Sequence, residues 1–307
     1  MKVFYTDRYS ISLPAYHTFP MPKYRKLGER LKRSDLAGRL TFCEPHAATR
    51  EELSRVHDEK YLERIEAGRL NEKEVRRIGL PWSPELVARA KHSAGATIDA
   101  CRAAIDEGAA VNLGGGTHHA HADFGQGYCL LNDSAVACNA LQVDQPSKRI
   151  LILDCDVHQG NGTAALMRSN EAVFTFSIHG ENNFPRKKVP GDLDIALPDH
   201  AEDGKYLDAL ADGLQQLRHR FKADLMIYLA GADPFSRDRF GRLALSKDGL
   251  AERDKMVFNF CREHRLPVAV TMAGGYAPNI EDIVDIHAQT VAAALAYFDN
   301  WRSNRQF

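Results

Sequence analysis

The stretch Arg149-Ile150-Leu151-Ile152-Leu153-Asp154-Cys155-Asp156-Val157-His158-Gln159-Gly160-Asn161-Gly162-Thr163 decides how the chain is read. Its opening run, Arg149–Leu153, is apolar without alternation, the pattern of a parallel strand buried on both faces. Beyond it the residues turn polar while the backbone stays extended. In extended backbone, residues two apart point to one side, so Asp154, Asp156 and His158 converge and Cys155 turns to the opposite, core-facing side. Two carboxylates and an imidazole at a buried strand end are costly unless they are paired or bound to a cation. In isolation, the same residues also fit a hydrogen-bonded turn.

Working outward, further short apolar runs recur at Val3–Tyr5, Ala109–Leu113, Ala172–Ser177, Asp224–Leu229 and Pro267–Met272. Helix-patterned stretches separate them near Pro84–Glu107, Asn132–Val143, Gly160–Arg168, Gly204–Phe221, Lys247–His264 and Ile280–Trp301. This alternation predicts a three-layer α/β fold, a mostly parallel central sheet with helices on both faces. One domain spanning residues 1–307 is expected. Tyr16–Leu80 has helical pieces at Lys23–Arg33 and Arg50–Glu66 but no strand pattern, and is expected beside the sheet and near the rim of a site.

Ligands of open parallel sheets bind outside the carboxyl ends of the strands, and four more strand ends here carry unusual residues. They are Gly114-Gly115-Gly116-Thr117-His118-His119, Ser177-Ile178-His179-Gly180, Ala230-Gly231-Ala232-Asp233-Pro234 and Ala273-Gly274-Gly275-Tyr276. Asp233 offers a third ligand beside Asp156 and His158, and Asp/His/Asp with an open position is a catalytic metal set. A neutral histidine such as His118 or His119 can take and return a proton. Tyr276 can aim its hydroxyl at a developing oxyanion. The triple glycine lacks the spacing and the Lys-Ser/Thr of a phosphate-binding loop.

The 307 residues include 44% hydrophobic and 26% charged residues, an ordinary globular composition. Forty basic residues against 41 acidic ones give a net charge of −1, which argues against nucleic acid as a partner. The N-terminus has no apolar signal core and no stretch suits a membrane span, so neither secretion nor a membrane partner is expected. Six scattered cysteines without a CxxC pair fit a reduced, cytoplasmic protein. The oligomeric state is left open.

In combination, GGGTHHAHADFGQGYCLLND, LDCDVHQGNGT, FSIH, AGADP with DRFGRLALS, and AGGY resemble the histone deacetylase family, of the arginase–deacetylase fold. The resemblance runs from about Pro45 to His287 and looks most like the bacterial and class IV branch. It implies zinc, or iron(II), on Asp156, His158 and Asp233. It implies His119 as base and then acid, His118 as electrostatic support bonded to Asp154, and Tyr276 polarising the acyl carbonyl. It further implies a substrate tunnel lined by Gly127 and Tyr128, and Gly274 and Gly275 beside the catalytic tyrosine are also expected to bind substrate. A structural potassium ion would be held by Asp154, Ser177, Ile178 and backbone carbonyls. The expected reaction is direct hydrolysis of an acylated lysine, with acetylpolyamines or other small acylated amines as the alternative.

Two departures stand out. Asn161 replaces the aspartate that class I members pair with the second histidine, which is read as tuning of the dyad. Nothing acidic lies near Gly79–Leu80, where a class I rim aspartate would hold the substrate backbone. A dimanganese ureohydrolase would need a second set of bridging carboxylates that His118-His119 does not supply. A non-catalytic acyl-amine binder would be expected to have lost a ligand or the tyrosine. Phe184 with Arg186-Lys187-Lys188 reads as a candidate rim, more simply as a solvated loop. His17 and His57 read as packed or surface histidines.

Overall fold

The computed structural model describes residues 1–145 and 147–303. Eight strands form one sheet: β1 (Lys2–Phe4), β2 (Thr41–Cys43), β3 (Ala109–Asn112), β4 (Ile150–Asp154), β5 (Val173–Gly180), β6 (Leu193–Leu197), β7 (Leu225–Leu229) and β8 (Val268–Thr271). Their order is β2-β1-β3-β8-β7-β4-β5-β6 and every pairing is parallel. The two strands that the sequence pattern misses are the two edges. β2 is only three residues long and partly exposed, and β6 interrupts its apolar residues with Asp194, so neither carries the unbroken apolar run of a central strand.

The helices are α1 (Lys23–Lys32), α2 (Arg50–Ser54), α3 (Glu59–Glu66), α4 (Glu72–Ile78), α5 (Pro84–Glu107), α6 (Asp133–Asp144), α7 (Asn161–Met167), α8 (Asp203–Arg220), α9 (Lys247–His264) and α10 (Ile280–Ser303). Local chemistry sets their ends. Ser83 caps α5 ahead of Pro84, and Gly108 stops it. The expected single helix Arg50–Glu66 is two. Thr49 and Glu52 form a capping box for α2, and Asp58 then caps α3 through the backbone N–H of Tyr61.

Strand residues alternate between two cores. Leu151, Leu153, Phe176, Tyr228 and Val270 pack with α1, α8, α9 and α10 on one face. Ile150, Ile152, Ile227, Leu229 and Ala269 pack with α5, α6 and the short helices α2 and α3 on the other. Among the described residues no helix is long and apolar enough to cross a membrane.

The topology prepares a crevice. The chain leaves β3 and skips two places to form β4; β7 and β8 later fill the gap. The four adjacent strands β3, β8, β7 and β4 therefore end side by side where the strand order switches, the place where such sheets bind ligands. Behind these ends lies the fully buried Arg253 of α9. Its Nη1 donates to Gly231 O at 2.6 Å and its Nε to Asp254 Oδ1 at 2.9 Å. Asp254 also accepts from Tyr228 Oη (2.6 Å) and Thr290 Oγ1 (2.5 Å). Replacing Arg253 by Met leaves a buried carboxylate without its cation and frees the loop after β7. The expected loss is about 3–5 kcal/mol of stability, read from chemical unfolding at constant m-value.

Candidate active site

Asp156 and His158 follow β4 and Asp233 follows β7, and ligand atoms of all three lie within 4.8 Å of one another in a buried cluster. His158 Nδ1 stands 2.9 Å from Asp156 Oδ1 and 3.1 Å from Asp233 Oδ2. Backbone N–H groups orient the carboxylates: Gly274 N donates to Asp156 Oδ2 (2.7 Å) and Val157 N to Asp233 Oδ1 (2.9 Å). Burial favours the neutral form of each group, yet the two carboxylates at Nδ1 push His158 up to about 10. Asp156 is held below its usual range by His118 and His158 against the effect of burial, while burial and Asp156 raise Asp233 to about 7. Two buried carboxylates thus converge on one nitrogen and need a cation there, either a proton or a metal ion. The donor set, two oxygens and one imidazole, suits zinc.

His118 and His119 follow β3, their ring centroids 4.1 Å apart. His118 Nδ1 donates to Asp154 Oδ2 at 2.6 Å; burial opposes its charge, but Asp154 and Asp156 raise it to about 9. His119 Nδ1 lies 2.8 Å from Asn161 Oδ1. Burial and the neighbouring His118 and His158 hold it well below its ordinary value, so this ring is neutral. The turn carrying both rings hangs on a carboxylate that the sequence does not single out. Buried Asp133 of α6 accepts from Gly116 N, Thr117 N and Thr117 Oγ1 as well as from Thr97 Oγ1. In the sequence it is the last residue of GGGTHHAHADFGQGYCLLND, with no role assigned to it.

Tyr276, beyond β8, has its ring 6.2 Å from His158, and burial beside Asp156 and Asp233 keeps its phenol protonated. A second missed carboxylate positions it: Asp238 Oδ2 accepts from Tyr276 N at 2.6 Å while Oδ1 accepts from the N–H groups of Phe240 and Gly241. Buried Lys23 of α1 donates to Ala273 O and Gly275 O (3.2 and 3.3 Å), and Ala273 itself holds φ +51°, a strained value for a non-glycine residue.

A cavity of about 370 Å³ opens above these groups, with His119, His158 and Tyr276 on its wall beside Gly127, Tyr128, Phe184 and Phe240. Phe184 stands edge-on to His119, centroids 4.8 Å apart, so it belongs to the cavity and not to a freely solvated loop. Gly274 faces a small inner space with Asp156, His118, Gly127, Tyr128 and Tyr276, while Gly275 packs toward Ile283 and Ala232. Asp154 and Ser177 line a void of about 10 Å³ with Thr175 and Asp194, and Ile178 is not among its lining residues. Cys155 is fully buried in the core on the opposite side. His57 is packed: its Nδ1 donates to His121 O and its Nε2 accepts from Asn132 N. His17 reaches the rim, with Nε2 on Gly79 O (2.9 Å) and its ring against Tyr128.

The rim explains its missing acid. Gly79 ends α4 with φ +80°, and a β-carbon there would stand 3.0 Å from the ring of Tyr128. A side chain there would be strained by the positive φ and pressed against that ring.

Residues 17–292 match the histone deacetylase domain. The chain belongs to the histone deacetylase family. Its family activity is hydrolysis of an amide by a deacetylase-type amidohydrolase, generally metal-dependent, and its fold is the arginase–deacetylase fold. It is 41% identical over 292 residues to an uncharacterized protein of Picosynechococcus sp., covering 95% of this chain and 97% of that one. It is 30% identical over 253 residues to the acetoin utilization protein AcuC of Bacillus subtilis, covering 75% and 65% respectively. Two solved structures share the fold at 22% identity. A histone deacetylase homologue from Aquifex aeolicus has a TM-score of 0.79 over 95% of this chain and 83% of its own. An acetylpolyamine aminohydrolase from Burkholderia pseudomallei has a TM-score of 0.77 over 95% and 98%.

Within this cluster of the histone deacetylase family member, Gly274 leaves the space that the carboxylates occupy. A β-carbon would fall 1.9 Å from Asp233 Oδ2 and 2.5 Å from Asp156 Oδ2. Gly274→Ala is therefore expected to lower bound metal from about one equivalent to well below one, read by elemental analysis, while circular dichroism still reports a folded chain.

Proposed function

We propose that the chain is a zinc-dependent deacylase acting on an acylated amine, in first place an Nε-acyl-lysine, as a single catalytic domain. The observation that carries this reading is the convergence of Asp156, His158 and Asp233 on one point beside a neutral His119 and the protonated Tyr276. Asp156, His158 and Asp233 would hold the ion, for which iron(II) is an alternative occupant, and a bound ion supplies Lewis-acid polarisation.

The remaining steps belong to the protein's own groups. His119 keeps a proton on Nδ1 toward Asn161, so its Nε2 lone pair takes a proton from the attacking water and returns it to the departing amine. Tyr276 donates its O–H to the acyl oxygen as that oxygen gains negative charge. His118, charged and bonded to Asp154, keeps His119 neutral in the resting state. Gly127, Tyr128 and Phe184 enclose the methylene stem and exclude water. Asp154, Ser177 and Ile178 are assigned to a structural potassium ion.

The cavity favours acyl-lysine over acetylpolyamine. Its lining includes Arg77 and Arg242 and no carboxylate, an unfavourable mouth for a polycation. The described residues hold one metal-ligand cluster, which favours a single-metal deacylase over a two-metal ureohydrolase.

The test is a panel of fluorogenic acyl-lysine peptides and acylpolyamines on zinc-reconstituted protein. Chelator-sensitive turnover of acyl-lysine is expected, with Tyr276→Phe lowering kcat about a hundredfold while zinc stays bound. Zinc-loaded protein that turns over no acylated amine would sink the reading. Near-normal turnover by Tyr276→Phe would remove the phenol from the mechanism.

A further inference from the structure

Asn161 has a second partner. Its Oδ1 faces His119 Nδ1 at 2.8 Å, and its Nδ2 lies 3.0 Å from Nε2 of His121. His121 is half-buried. Its position is fixed from several sides. Its N–H donates to Phe124 O (2.9 Å), its carbonyl accepts from His57 Nδ1 (2.9 Å), and its ring stacks on Phe124 with centroids 4.4 Å apart and planes 19° from parallel.

An amide, unlike a carboxylate, has one accepting end and one donating end. For Oδ1 to accept from His119 Nδ1–H, the Nδ2 hydrogens must point at His121, and that contact is a hydrogen bond only if His121 Nε2 carries a lone pair. With a proton on Nε2, two donors face each other and the amide gains by turning over. The turned amide accepts from His121 and donates to His119 Nδ1, which forces the His119 proton onto Nε2. The nitrogen that must act as base is then blocked.

We infer that His121 is a positioning residue: as a neutral acceptor it fixes the Asn161 amide and so selects the tautomer in which His119 is a base. This rests on the reading of His119 as the proton carrier.

The groups facing His121 bear on its charge. They are Asp123 on its own loop, Arg77 from the last turn of α4, His57 from the α2–α3 connection, and Asn161 and His119 from the site. Burial lowers His121 below the ordinary histidine value, Asp123 opposes this, and Arg77, whose guanidinium lies 4.0 Å from the Phe124 ring centre, adds to it. His57 is itself lowered to about 4 by burial and stays neutral. A neutral His121 with its proton on Nδ1 offers the Nε2 lone pair to Asn161, and that lone pair is lost as pH falls through the depressed pKa. Activity should fall on that acid side.

The experiment uses zinc-loaded protein with 15N-labelled histidine. Long-range 15N–1H correlation spectra show which ring nitrogen of His119 bears the proton, independently of turnover. The wild type at pH 8 should show Nδ1–H. His121→Lys, a donor only, should move the proton to Nε2 and lower kcat about tenfold with KM within about twofold. His121→Gln, which can present an oxygen, should restore Nδ1–H and recover most of the rate, and its profile should lack the acid limb owed to His121. In His121→Lys/Asn161→Asp the carboxylate accepts on both sides, so Nδ1–H should return. Nδ1–H retained in His121→Lys with unchanged kcat would overturn the inference, as would equal tautomer loss in the Gln and Lys variants. Absent turnover in the wild type would count against the deacylase reading alone, because the tautomer spectra decide this inference without it.

Discussion

Everything around this site answers to one electrostatic constraint: Asp156 and Asp233 are buried side by side and both aim at His158 Nδ1. Like charges so placed are tolerated only with a cation between them and donors behind them. The cation is the proton or metal ion at the shared point. The donors are backbone N–H groups of Val157 and Gly274, one from each flanking strand end. Arg253 extends the same logic one layer deeper, pinning the loop after β7 from the core side. The strained Ala273 and the buried Lys23 hold the last strand end where its N–H can reach the carboxylate.

Much of this was legible in the sequence because it depends on short-range geometry. The period of two puts Asp156 and His158 on one side, and they do converge although the chain bends after β4 and does not stay extended; Asp154 is turned to His118. The unbroken apolar runs reveal central strands because both of their faces are covered. Edge strands escape because they lack that burial: β6 carries Asp194 where an internal strand would be apolar.

The supporting carboxylates were not legible for a different reason. Asp133 and Asp238 act on backbone N–H groups of other segments, and a backbone N–H has no residue identity for a pattern to register. Asp133 resembles any acidic residue in a first helical turn, and Asp238 any loop aspartate. The contact of His121 with Asn161 joins residues 40 apart and depends on how the loop after β3 folds over α7. Gly274 was visible as an unusual residue, but its place against the two carboxylates follows from the turn it makes.

The helix end at Gly79 couples two loops. Its left-handed backbone and the Tyr128 ring pressed against it occupy the place from which a rim side chain would project. Tyr128 is itself held at φ +66°, with its N–H bonded to Ile78 O. Neither residue can be exchanged for a larger or differently shaped one without the other moving. A substitution at either position is therefore felt at the other, and the two loops shape the mouth of the cavity as one unit.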